Sequence, residues 1–217
     1  LWTLHCDENI CKAQVDSTIE DLLTDLEADS YVVALTDTHN FRKDVLPSYK
    51  DNRKQKRKPM VLNALRDYVL QEHNAVIYKG LEADDFLGIM ATEPSNMERV
   101  IVSIDKDLKQ IPCLISTDGK TVQKIDKKQA DYWFMVQAMA GDSTDGYSGV
   151  PNVGVKTAQK LLGDNNVPLL DLWKKVLSAY DKAGYSAKEA LQQARVAHIL
   201  THKDYNKKTG KVKLWRI

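Results

Sequence analysis

The chain has 217 residues, of which 43% are hydrophobic and 28% are charged, so it can bury the core of one or two globular domains. It contains no run of roughly 18 apolar residues, so no membrane span is predicted, and no basic-then-apolar signal-peptide pattern appears at its start. We therefore expect a cytoplasmic location. Three scattered cysteines without a CxxC pair favour reduced thiols. The net charge of +1 predicts no particular partner.

The first part of the chain has the pattern of an α/β fold. Apolar positions recur at helical spacing over residues 6–26, which predicts an amphipathic helix. Short β-branched runs predict buried parallel strands at 31–35, 75–78 and 100–104, with helices between them. A further helix is predicted at 127–140. The alternation indicates right-handed βαβ units around a parallel sheet.

The remainder of the chain is predicted to be helical. Glycine-punctuated short helices follow from Gly141, with predicted bounds of 155–162, 168–183 and 187–202. A hairpin is predicted around 209–210, where a Thr-Gly pair marks a turn. We therefore expect a second, all-helical region to begin at residue 141.

Acidic residues occur in pairs whose spacing points two carboxylates in one direction. A separation of two is the period of one strand face, and a separation of three is close to one helical turn. The pairs are Asp105 with Asp107, Glu82 with Asp85, and Asp142 with Asp145. Asp37, Glu82 and Asp105 also fall at the carboxyl ends of predicted strands, where α/β sheets bind ligands.

Clustered carboxylates predict a divalent metal site. Their repulsion is costly unless a cation neutralises it, and hard ions such as Mg²⁺ or Mn²⁺ prefer oxygen ligands. Two such ions about 4 Å apart would suit phosphodiester hydrolysis, which makes a nuclease the leading hypothesis. The alternative is that each pair is only a helix N-terminal charge or a solvated turn. His198 and His202 have a zinc-binding spacing but no third ligand nearby.

Two further segments indicate nucleic-acid binding. Residues 42–58 contain eight basic residues against two acidic ones, a local charge of +6, although a solvated or disordered loop would have the same composition. GVPNVGVKTAQKLL (149–162) resembles the helix-hairpin-helix motif, whose turn amides meet a DNA phosphate, often with a K⁺ ion. Asn152 stands where glycine is common, but asparagine tolerates the left-handed conformation. The alternative is an ordinary Pro-Asn turn before a helix.

These segments occur in a recognisable order. ALTD, RKDVLPSYKDNRK, GLEADD, SIDKD, GDSTDGYSG and VPNVGVKTAQKLL together resemble the phage and bacterial 5′ nuclease superfamily, most of all the 5′→3′ exonucleases of T-seven-like phages. The resemblance implies a PIN-like α/β domain over 1–140, with a basic arch at 41–66, and a helical three-turn DNA-binding region over 141–217. The family opens with a strand that ends in another aspartate, and this sequence begins after the place of that strand. We expect the sequence to be a fragment whose missing segment supplies both; the alternative is a short protein that lacks the strand and the acid.

The resemblance also assigns roles to residues. The implied metal ligands are Asp84, Asp105 and Asp107 for a first ion, with Glu82 and Asp85 beside them, and Asp142 and Asp145 for a second. Asp37 would act through water in catalysis, and Arg42, Lys50 and Arg53 would steer the scissile phosphate. The implied DNA contacts are Arg42, Tyr49 as a base-stacking ring, Lys50, Arg53, Asn152, Gly154, Lys156, Thr157 and Lys160.

The implied activity is Mg²⁺- or Mn²⁺-dependent 5′→3′ hydrolysis of duplex DNA by two ions, with RNA removal from RNA–DNA hybrids as a further possibility. Phage DNA replication or host DNA degradation in the host cytoplasm would be its setting. The alternatives are a structure-specific flap endonuclease and a non-catalytic DNA-binding remnant. We expect a monomer without a small-molecule cofactor or a membrane partner.

Overall fold

The computed structural model describes residues 7–54 and 57–217. The start of the predicted first helix at Cys6 and the basic residue Lys56 therefore lie outside the described residues. The helices are α1 (Glu8–Asp25), α2 (Arg42–Val45), α3 (Leu62–Glu72), α4 (Ala83–Thr92), α5 (Lys127–Ala140), α6 (Val155–Leu162), α7 (Leu169–Lys182) and α8 (Ala187–Ala197). The strands are β1 (Ala34–Leu35), β2 (Val76–Ile77), β3 (Val100–Val102), β4 (Leu114–Ser116), β5 (Gln123–Lys124), β6 (Tyr205–Asn206) and β7 (Lys211–Val212).

The α/β half contains the three predicted strands and two that were not predicted, β4 and β5, arranged as two separate sheets. β1 pairs in parallel with β2, and β3 pairs in parallel with β4, whose other edge carries the antiparallel β5. The strands are shorter than predicted. Tyr31 and Val32 are 43% and 51% exposed, so the first half of the expected buried strand lies at the surface. Helix α4 contacts both β1 and β3 and so packs against strands of both sheets.

Helix α5 is the centre of the largest hydrophobic core. Eight of its 14 residues are buried, and it packs against α6, α7 and α8. Asp126 and Gln129 form a capping box at its start, and Gly141 ends it with a φ of 67°. Residues on both sides of position 141 therefore share one core, and Trp215 closes that core against Phe134 and Trp173.

The C-terminal segment differs from the prediction at one point. Helix α8 ends at Ala197, five residues earlier than expected, because His198 adopts an extended conformation. His198 and His202 therefore do not share a helix face, and His198 Nε2 contacts Asp204 instead. The predicted hairpin is present as the antiparallel pair β6 and β7. No helix in the described part of the chain is both long and apolar enough to cross a bilayer.

Candidate metal centre and nucleic-acid surface

The first group of carboxylates lies at the N-terminus of α4. Glu82 precedes the helix and forms a capping box with Asp85, and Asp84 lies in the first turn. The positive end of the helix dipole favours carboxylates at this position. The Ala83 N–H in the first turn of α4 donates to the Thr36 hydroxyl just after β1 at 3.1 Å, so these side chains lie beside the end of β1.

Asp105 and Asp107 complete this group from the end of β3. Asp105 begins a short 3₁₀ helix, and its side chain accepts a hydrogen bond from the Asp107 N–H at 2.9 Å. Burial and the neighbouring Asp105 and Glu82 carboxylates raise the pKa of Asp84 to about 7. Burial, Asp105 and Asp142 raise the pKa of Asp107 to about 6. Asp105 is thus a carboxylate that lies near both Asp84 and Asp107.

The second group lies in the loop after α5. Asp142 Oδ1 accepts hydrogen bonds from the Thr144 N–H at 2.7 Å and from the Asp145 N–H at 3.3 Å, which closes a tight turn. The two ends of this loop cross so closely that a Cβ on Gly141 would lie 2.4 Å from the carbonyl carbon of Ser148. Gly141 has a φ of 67°, so both its space and its conformation require glycine there.

The segment 48–53 docks on this acidic loop. The Lys50 N–H donates to the Asp145 carbonyl at 2.8 Å, and the Asn52 side chain donates to the Ser143 carbonyl at 2.7 Å. Lys50 has a φ of 59°, a conformation uncommon outside glycine. The Lys50 ammonium contacts Glu82, and the Arg53 guanidinium contacts Asp145. Two basic side chains are thus held against the acidic groups.

The donor set suits hard divalent cations. Burial and nearby carboxylates raise the pKa values of Asp84 and Asp107, and binding of a cation would relieve that repulsion. No three acidic, histidine or cysteine side chains within residues 7–54 and 57–217 already converge as a coordination group. Glu82 and Asp145 instead point at Lys50 and Arg53, and Asp107 points at the Gln137 amide. Metal binding would therefore require these side chains to exchange partners.

The structure changes the predicted roles of Arg42 and Asp85. Arg42 is 3% exposed and Asp85 is fully buried, so neither faces DNA or solvent. The guanidinium binds both carboxylate oxygens, at 2.6 and 2.8 Å, and also donates to the carbonyls of Val196 and His198. Burial favours the neutral guanidine, but the Asp85 and Glu82 carboxylates outweigh it and raise the pKa of Arg42. The pair joins α2, α4 and the end of α8, which contradicts a DNA contact for Arg42 and leaves Asp85 no free oxygen.

Tyr49 is also buried, at 2% exposure, which contradicts its predicted stacking on a base. Its hydroxyl lies 2.9 Å from Glu82 Oε2 and 3.0 Å from Asp145 Oδ2. Burial raises the pKa of the phenol well above its usual value, so the hydroxyl remains a proton donor to carboxylates at neutral pH. Tyr49 therefore bridges the two acidic groups instead of contacting DNA.

Asp37 has a different environment from the other predicted acids. Its oxygens accept hydrogen bonds from the backbone N–H groups of Gly80 and Thr38, both at 2.7 Å. The Gly80 bond is the main reason that the pKa of Asp37 is lowered. Asp37 thus fastens the loop after β1 to the turn before α4.

The predicted helix-hairpin-helix turn is exposed and has the expected backbone. Asn152 has a φ of 61°, the left-handed conformation that asparagine was predicted to adopt. The Val153 N–H donates to the Val150 carbonyl at 3.1 Å, which closes the turn before α6. The side of this segment open to solvent contains Asn152, Gly154, Lys156, Thr157 and Lys160. These residues are therefore accessible to a ligand.

Sequence reasoning missed two residues that contact or face the acidic groups. Gln137 is 5% exposed on α5, and its amide donates to Asp107. Tyr147 is 4% exposed; burial and the nearby Asp107, Asp142 and Asp145 carboxylates raise its pKa well above the usual value. Gln137 is the one polar residue in the apolar FMVQAMA stretch, and this isolated polar position could have indicated a buried functional side chain. Tyr147 lies in the acidic GDSTDGYSG segment and had no distinguishing pattern of its own.

The raised pKa values predict how stability depends on pH. A carboxyl whose pKa rises on folding contributes stability below its unfolded value near 3.8, and that contribution is lost as pH rises through the folded value near 7. The Asp84→Asn variant has no carboxyl to ionise at this position, so its unfolding free energy does not fall in this way as pH rises. In EDTA, we expect the gain in unfolding free energy to be larger at pH 8 than at pH 4.5 by about 3 kcal/mol, as urea denaturation would measure. An equal change in unfolding free energy at both pH values would contradict a raised pKa for Asp84.

Comparison with known proteins places the chain in a family. Residues 11–138 match the family described as 5′-3′ exonuclease, N-terminal resolvase-like domain. The exodeoxyribonuclease of phage T3 is 32% identical over 99% of this chain and 83% of its own length, and the exonuclease of phage T7 is 30% identical over 100% and 84%. The flap endonuclease Xni of Shewanella pealeana is 29% identical over 80% and 71%.

Solved structures share the fold. A bacteriophage T5 flap endonuclease in complex with DNA and metal ions superposes with a TM-score of 0.54 at 17% identity, over 86% of this chain and 90% of that chain. A T5 protein co-crystallised with metal ions superposes with a TM-score of 0.53 at 17% identity, over 86% of each chain. These matches confirm the predicted α/β nuclease fold. The chain therefore belongs to the 5′-3′ exonuclease family.

Proposed function

We propose that this protein is a divalent-metal-dependent 5′→3′ exodeoxyribonuclease that uses Mg²⁺ or Mn²⁺. The observation that carries the proposal is the concentration of carboxylates at the strand ends and in the loop after α5, in contact with Lys50 and Arg53. Burial and neighbouring carboxylates raise the pKa of two of these acids, Asp84 and Asp107. Membership of the family and similarity to phage exonucleases support the same activity.

The residues would divide the work between two ions. Asp84, Asp105 and Asp107 would hold the first, with Glu82 adjacent, and Asp142 and Asp145 would hold the second. A pair of divalent ions supplies a water of lowered pKa and stabilises the departing oxygen in phosphodiester hydrolysis. Gln137 would orient the Asp107 carboxylate, which its amide contacts. Asp37 would act from a greater distance, through the turn that it fixes.

The DNA would be held at two places. Lys50 and Arg53, at the edge of the carboxylates, would orient the scissile phosphate. The exposed turn at Asn152 and the N-terminus of α6 would bind a backbone phosphate further along the duplex, with Lys156, Thr157 and Lys160 beside it and a K⁺ ion at the turn carbonyls. These contacts read the backbone, so the binding would be sequence-independent and would weaken with salt.

The proposed substrate is duplex DNA with a 5′ end, with RNA–DNA hybrids as a second substrate, cleaved by a monomer in the host cytoplasm during phage DNA replication or host DNA degradation. Similarity to flap endonucleases supports the second candidate function, cleavage at a 5′ flap. Fluorescently labelled blunt duplex and 5′-flap substrates with the same sequence would separate them. We expect stepwise release from the blunt 5′ end, whereas cleavage only at the flap junction would contradict the exonuclease.

A further inference from the structure

Lys50 lies between the two groups of carboxylates. Its ammonium contacts Glu82 from the N-terminus of α4 and is 3.4 Å from Asp145 Oδ2 in the acidic loop, with the Lys50 side chain only 21% exposed. The Tyr49 hydroxyl contacts the same two carboxylates. One cation is therefore shared by an acid from each proposed metal site.

The position of this ammonium is set by the backbone. The hydrogen bond from the Lys50 N–H to the Asp145 carbonyl holds Lys50 in its left-handed conformation against the acidic loop. The Asn52 side chain donates to the Ser143 carbonyl and so holds the same segment on the loop. Gly146 lies so close to this segment that a Cβ on it would be 3.3 Å from the backbone nitrogen of Lys50. Because the segment is fixed to the acidic loop at Lys50 and at Asn52, the Lys50 side chain is directed at the carboxylates, with only 21% of it exposed.

A divalent ion must acquire oxygens that this ammonium already contacts. An ammonium placed between two carboxylates lowers the negative potential that would attract a metal, and it competes for the same lone pairs. We propose that Lys50 acts as a built-in competitor for divalent cations at Glu82 and Asp145, and that its displacement by the ion releases it to the phosphate. This inference rests on the proposed function. It makes Lys50 available to the substrate only after a metal has neutralised the carboxylates.

Equilibrium binding of Mn²⁺ without DNA, followed by electron paramagnetic resonance of the free ion, tests the competition. We expect Lys50→Met to bind Mn²⁺ about tenfold more tightly than the wild type, which corresponds to about 1.4 kcal/mol. Lys50→Arg keeps the positive charge and should restore weak binding. The matched control is Lys54→Met, which removes the same charge from the same segment. Lys54 pairs with Asp51 at 2.8 Å and is 67% exposed, so we expect its loss to change affinity by less than about twofold.

The outcomes separate this inference from the proposed function. Mn²⁺ binding by the wild type that is unchanged or weaker in Lys50→Met would overturn the competition while leaving the metal site in place. Equal tightening in Lys50→Met and Lys54→Met would also overturn it, because the effect would then be one of net charge. Failure of the wild type and of Lys50→Met alike to bind Mn²⁺ would overturn both the inference and the metal-dependent function.

Discussion

Replacing Asp105 by asparagine is expected to abolish hydrolysis while DNA binding persists. Asp105 follows β3 directly, and its charge raises the pKa of both Asp84 and Asp107, so it lies at the centre of the proposed first metal site. Asparagine keeps the size of the side chain and removes the charge that would hold an ion. We expect the rate to fall by about three orders of magnitude, a loss of about 4 kcal/mol of transition-state stabilisation.

Two measurements on the same variant complete this test. Single-turnover hydrolysis of a 5′-labelled duplex gives the rate, and fluorescence anisotropy in EDTA gives the affinity for DNA. Asp21→Asn removes an equal charge from an exposed position on α1 and serves as the control, with near-wild-type values expected for both. A rate for Asp105→Asn within tenfold of the wild type would remove Asp105 from the metal site.

Arg42→Met is expected to cause the largest loss of stability. Its guanidinium is buried and makes hydrogen bonds to Asp85 and to the carbonyls of Val196 and His198. Removing it leaves the Asp85 carboxylate buried without its counter-charge, and breaking a buried pair in this way costs about 3–5 kcal/mol. Urea denaturation at pH 7 would measure the change in unfolding free energy.

The control for Arg42 is an ion pair at the surface. Lys174 and Asp171 on α7 lie 2.7 Å apart, and both side chains are at least half exposed. Water and salt screen such a pair, so we expect Lys174→Met to change the unfolding free energy by less than about 1 kcal/mol. If Arg42→Met cost no more than this control, the buried pair would not be holding α2, α4 and the end of α8 together.

Local patterns in the sequence predicted a large part of this structure. The bounds of α5 and α6 are those expected, because each helix has an amphipathic or apolar repeat and a clear start or stop signal. The left-handed backbone of Asn152 followed from the intrinsic tolerance of asparagine for that conformation. The acidic residues at strand ends were identified because a parallel sheet brings the carboxyl ends of its strands to one edge. Each of these features depends on residues near one another in the chain.

The wrong predictions depend on distant partners. Arg42 and Tyr49 belong to a basic run that was interpreted as a solvent-facing arch, yet their partners Asp85 and Asp145 lie 43 and 96 residues further along the chain. The early end of α8 has a similar origin, since Arg42 binds the carbonyls of Val196 and His198 where the chain leaves the helix. Local spacing contains no information about such contacts, whose position is set by tertiary packing.

We propose that the clustered carboxylates serve metal-dependent hydrolysis from DNA 5′ ends. Its most direct measurement is the product distribution from an internally labelled duplex, incubated with the wild-type protein over a Mg²⁺ titration, with either the 5′ or the 3′ ends blocked. We predict Mg²⁺-dependent nucleotide release that persists with blocked 3′ ends, stops with blocked 5′ ends and disappears in EDTA. Tight DNA binding without hydrolysis at any Mg²⁺ or Mn²⁺ concentration would contradict it.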